Sequence, residues 1–138
     1  MKARATKRTW GKVAKGVIRE EPEREDRIVF SIVVDAYDEV ERAMSWYYYL
    51  QEEMQFPFTA TCTHVRATSP LRVGATVQVA DIADTDDCMA EIMVLVAHDG
   101  DLLAVPLMQL HCVPENDSEK TIQAVEDWRY WVARGYHF

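Results

Sequence analysis

Only three of the 138 residues are cysteine (Cys62, Cys88 and Cys112), and an odd count argues against a closed disulfide framework. Near Met1 there is no compact apolar stretch followed by a small-residue cleavage site, so a secretory signal is not expected. Reduced thiols and a cytoplasmic location follow as expectations. Five glycines and five prolines are too few for a low-complexity or fibrous chain. No apolar run approaches the ~20 residues that cross a bilayer, which argues against a membrane protein. The usual signatures of catalysis are missing too. There is no Gly-x-Ser-x-Gly elbow, phosphate loop or dinucleotide fingerprint, and nothing marks a substrate pocket, so an enzyme is not expected.

Acid is absent from residues 1–19, which hold seven Lys/Arg. The remainder carries eight basic against 23 acidic residues, so an overall charge of −8 conceals a body of −15. Such a body repels nucleic acid and anionic lipid and attracts cations or a basic protein partner. The basic arm alone suits phosphate. It is acid-poor like a transit peptide but not Ser-rich. Residues 1–27 therefore read as a charged N-terminal extension, with helical character near Trp10 to Ile18. Residues 28–138 read as one acidic domain, and 49% hydrophobic residues suffice for its core.

The run Ile28 to Val34 is β-branched and predicts a strand or a buried lead-in. Asp35 is the expected N-cap of a helix reaching about Met54, with Tyr37, Val40, Met44, Tyr47, Tyr48 and Gln51 forming its apolar face. Gln55 to Pro57 ends it. Alternating patterns then predict strands over Phe58 to Val65, Thr76 to Ile82, Ala90 to His98, and Leu102 to Val113. Asp99-Gly100 signals a type I′ hairpin, and Ser118 to Gly135 a second helix with Ile122, Val125, Trp128 and Val132 on one face. The expected fold is α+β: a small curved antiparallel sheet or SH3-like barrel of four to five strands, with a long N-terminal helix and a C-terminal helix.

Two groups of carboxylates stand out. Asp35, Asp38, Glu39 and Glu41 crowd the predicted helix start, where acids also serve as caps and complement the macrodipole without any ligand. Asp81, Asp84, Asp86 and Asp87 fall within seven residues of an inter-strand loop. Four like charges repel there, and a hard cation with six to eight oxygen ligands relieves that repulsion; a solvated acidic loop is the plainer alternative. No EF-hand is present, since the loop lacks the sixth-position Gly and twelfth-position Glu. Cys62, His64, His111 and Cys112 are a weak zinc set, because neighbouring strand residues point to opposite faces and no Cys-x-x-Cys occurs. Packing as small hydrophobes explains the cysteines better.

Several segments together resemble a known family: Asp35 to Leu50 with its Trp46-Tyr-Tyr-Tyr block, Phe56-Pro-Phe-Thr-Ala-Thr-Cys62, Ser69-Pro-Leu71, Asp86-Asp-Cys88, Leu103-Ala-Val-Pro-Leu-Met-Gln-Leu110, and Asp127-Trp-x-Tyr-Trp-Val132. Over about residues 28–138 the chain is similar to the calcium-binding family first described in cyanobacteria (CcbP-type). The resemblance implies a small acidic calcium binder without EF-hands that buffers or sequesters cytoplasmic Ca2+ through acidic side chains. The positions that match are Asp35, Asp38, Glu39, Glu41, Asp84, Asp86 and Asp87. A loop folded back over the helix start would let one ion bridge both groups. Calcium suits flexible carboxylates better than magnesium does. An acidic module that docks a basic protein, with calcium incidental, is the second reading, and occupation of the acidic face by the basic arm is a third.

Overall fold

The computed structural model describes residues 19–138, so the helical character expected near Trp10 to Ile18 lies outside the described residues. Pro22 fixes φ at the first turn of a short helix, α1 (Pro22–Arg27). Its axis continues into one wider π-helical turn over Ile28–Ile32. The β-branched run is therefore a buried lead-in and not a strand. Ile28, Val29, Ile32 and Val33 are buried, and that burial overrides their β propensity. Glu25 is buried, and Arg24 and Arg27 pair with Asp127 100 or more residues later, so the packed body includes α1.

Helix α2 (Glu39–Glu53) is capped by Asp38 and not by Asp35. Its buried side chains are Arg42, Ala43, Trp46, Tyr47 and Leu50. The predicted apolar face is thus rotated: Tyr47 alone of it is buried, while Tyr37, Val40 and Tyr48 are exposed. Trp46 is instead the centre of the core, with Trp128 and Trp131 at centroid distances of 5.1 and 5.3 Å.

Five strands, β1 (Phe58–Cys62), β2 (Thr76–Ile82), β3 (Met93–His98), β4 (Asp101–Pro106) and β5 (Leu110–Cys112), form one open antiparallel sheet in the order β4-β3-β2-β1-β5. The single long strand expected over Leu102 to Val113 is two, because a 3-10 turn at Leu107–Gln109 after Pro106 carries the chain from one edge of the sheet to the other. The hairpin at Asp99-Gly100 has φ of 50° and 85°, as a type I′ turn requires. Register places buried Phe58, Val79 and Val96 in one line across the sheet. A register shift between Val79 and Asp81 marks a bulge in β2, which re-aims the strand end that enters the acidic loop.

Helix α3 (Glu119–Ala133), capped by Ser118, packs on α2 and β5. Val125 and Trp128 are buried on it as expected, together with Ala124, Tyr130 and Trp131.

Candidate metal site

The acids at the start of α2 divide into two kinds. Asp38 accepts a hydrogen bond from the Glu41 backbone N–H at 2.8 Å, and a Glu41 carboxylate oxygen reaches back to the Tyr37 N–H at 2.7 Å. This reciprocal pair is close to a capping box and realises the capping alternative for two of the four residues. Asp35 and Glu39 are exposed and have no side-chain hydrogen bond or ion pair among the described residues. No described cation lies on this group. The one cation of the helix, Arg42, is buried and donates to the Phe138 carbonyl at 2.9 Å.

The second group is built from the inside out. Cys88, fully buried, is the plug of the loop: its sulfur accepts from the Met93 N–H at 3.3 Å. Ala83 N–H donates to the Met93 carbonyl at 3.0 Å and holds the loop entrance to β3. From α2, the Tyr47 hydroxyl donates to the Ala83 carbonyl at 2.9 Å. A 3-10 turn over Thr85–Cys88, closed by Asp87 N–H on the Asp84 carbonyl, leaves Asp84, Asp86 and Asp87 exposed. None of the three has a side-chain hydrogen bond or ion pair among the described residues. Asp81 is spent locally on the Ile82 N–H at 2.8 Å. The Tyr47 phenol is pushed above its ordinary pKa by burial, and by the nearby negative charge of Asp84 and Asp81 among others.

The structure therefore seats the loop on α2 at Tyr47, about 12 Å along the axis from Glu39 at 1.5 Å per residue. The expected convergence of loop and helix start is not preformed: among the described residues no three His, Cys, Asp or Glu side chains stand together as a metal cluster. The zinc set is scattered in the same way. Cys62 donates to the His64 carbonyl, His111 pairs with Glu126 at 3.1 Å, and desolvation, followed by the negative charge of Asp117, pushes the Cys112 thiol up to about 12. A cleft of about 230 Å³ between α3 and α1 is lined by Arg24, His111, Glu126 and Arg129. Its two guanidinium groups are committed, Arg24 to Asp127 and Arg129 to the Met108 and Leu110 carbonyls.

Comparison with known proteins places the chain in a family. A family model described as calcium binding, of the CcbP type, matches residues 26–132. The chain belongs to the CcbP calcium-binding family. The fold agrees with that membership. A crystal structure of CcbP from Anabaena is 35% identical and superposes with a TM-score of 0.78 over 89% of this chain and 99% of that one. A structure described as a calcium-binding protein in its calcium-binding form is 36% identical, with a TM-score of 0.75 over 86% of this chain and 96% of that one. No curated protein matches the chain.

As a CcbP-family member, the chain presents a donor set that fits a hard cation. The exposed groups are carboxylate oxygens without nitrogen or sulfur among them, and calcium takes six to eight oxygens with flexible geometry. Sequence reasoning singled out these exposed carboxylates but did not assign Tyr47 and Cys88 the role of holding the loop. The Tyr47-to-Ala83 bond spans 36 residues, and nothing in local periodicity signals it.

Proposed function

We propose that this chain binds Ca2+ through Asp84, Asp86 and Asp87, with Asp35, Asp38, Glu39 and Glu41 as a second acidic surface, and that it buffers cytoplasmic calcium without catalysing a reaction. One observation supports this above the others: a turn fixed on its inner side by Tyr47 and Cys88 exposes three carboxylates that have no cation partner among the described residues. Like charges clustered within four residues of one turn are relieved by a divalent ion, while a loop built only to turn has no need of them. The residues supply the oxygens; calcium supplies the positive charge that lets them approach. Because no rigid cage is preformed, the expected dissociation constant is on the order of 10⁻⁵ M.

Calorimetric titration tests the reading. The wild-type chain is expected to give calcium heat at ~100 μM protein, and the triple variant D84N/D86N/D87N to bind about tenfold or more weakly. A silent wild type overturns calcium binding. Unchanged binding in the variant moves the ion to the group at the helix start.

A further inference from the structure

We propose that the outer face of α2 is a docking surface for a basic amphipathic segment of a partner protein, and that calcium competes with this partner for the carboxylates on its rim. The competition rests on the calcium reading above; the surface itself does not.

Val40, Met44 and Tyr48 follow one another at four-residue spacing and so form one stripe along the helix. Tyr37 precedes the helix start, where its N–H is held by Glu41. Tyr37 is 76% exposed, Val40 60% and Tyr48 56%. Single exposed apolar residues are ordinary, but a contiguous stripe with a polar rim marks an interaction site. The rim here has one sign. Asp38 and Glu41 border the stripe at the helix start, and Glu52 lies one turn beyond Tyr48. On the other edge Tyr47, in edge contact with the Tyr48 ring at 5.6 Å, carries the loop with Asp84. Arg42, the only Lys or Arg in α2, is turned inward to Phe138, so the face carries no exposed cation of its own.

That pattern selects the occupant. An uncharged apolar partner would desolvate the carboxylates without pairing them, at a net cost. An anionic membrane is repelled. A helix with apolar residues on one side and Lys/Arg on the other fills the stripe and pairs the rim, and its cations also find the Tyr37 and Tyr48 ring faces. Calcium bound at Asp84 to Asp87 or at the helix start removes charge from the same rim.

The test is fluorescence titration of a synthetic amphipathic peptide of Leu, Lys and one Trp into the full chain, first with chelator and then with calcium. Binding in chelator is expected to weaken about tenfold in V40S/Y48S, the effect of losing a central apolar anchor. It is expected to fall on calcium addition, while V40S/Y48S keeps the calcium heat of the wild type. No binding to the wild type, or equal binding to V40S/Y48S, overturns the docking surface. Binding that appears only after removal of residues 1–19 assigns the face to the chain's own basic segment and overturns a partner in trans. Persistence of the peptide in saturating calcium overturns the competition. Calorimetry on the peptide-free chain decides the calcium reading separately.

Discussion

Asp127 is fully buried in the middle of α3, a position where an ionised carboxylate is stable only when its oxygens are paired. Both are. One accepts from Arg24 Nη1 and Arg27 Nη2 at 2.7 Å each, and the other from Arg27 Nε at 2.9 Å and the Tyr49 hydroxyl at 2.7 Å. This one side chain therefore ties α1 and α2 to α3, and through α2 it orients the helix on which the acidic loop rests. Burial, followed by the bond to Asp127, raises the Tyr49 phenol well above its ordinary pKa, so it stays a proton donor throughout the physiological range. Removing the carboxylate leaves two guanidinium groups and a phenol facing a buried void. Asp127→Ala is expected to cost about 3 kcal/mol in urea unfolding, and Asp127→Asn less because it keeps one acceptor. A loss below about 1 kcal/mol for Asp127→Ala would show that the arginines re-pair with solvent and that the network does not hold α1 in place.

Helix α2 sets the limit on what the chain shows in one dimension. Its existence, its Pro57 stop and the Trp46 block are legible, as are β2 to the residue, the Asp99-Gly100 hairpin and the helix that follows Ser118. The side of α2 that faces inward is not. Trp46, Tyr47, Tyr48 and Tyr49 surround the helix with apolar surface, so periodicity fits two faces about equally well, and the true one contains Arg42. That residue is tolerated in the core because the Phe138 carbonyl, 96 residues away, accepts its N–H groups. Stability separates the two faces. Ala43→Leu is expected to cost about 1–3 kcal/mol through overpacking, while Val40→Ser stays within about 0.5 kcal/mol of wild type. The face inferred from periodicity gives the reverse order in thermal unfolding. The same limit applies to the candidate site. Clustered acids at Asp84 to Asp87 are plain in the sequence, whereas their outward aim depends on Cys88 and Tyr47 packing from other elements.

For the molecule as a whole, pH acts from two sides. His111 sits below its ordinary value because it is desolvated and lies near the Arg129 charge, with Glu126 opposing. Its folded pKa is depressed, so stability is full above about pH 6.5 and declines as the falling pH first protonates the unfolded chain. His111→Gln is expected to flatten that acid limb, and equal slopes in both proteins would locate the acid sensitivity elsewhere. On the alkaline side the Cys112 thiol is held up to about 12, by burial first and then by Asp117, against an ordinary value of 9.0. Between those values the unfolded chain releases a proton that the folded chain keeps, so stability falls as pH rises through that window. Calcium shifts the curve in another way. A ligand at 100 times its dissociation constant that binds only the folded chain adds about 2.7 kcal/mol, and carboxylates do not titrate in this range. Urea unfolding at several alkaline pH values should therefore give two parallel falling lines, with calcium above chelator, and Cys112→Ser should make both less steep. Lines that diverge toward high pH would mean that calcium binding depends on a group deprotonating there, which exposed carboxylates alone do not provide.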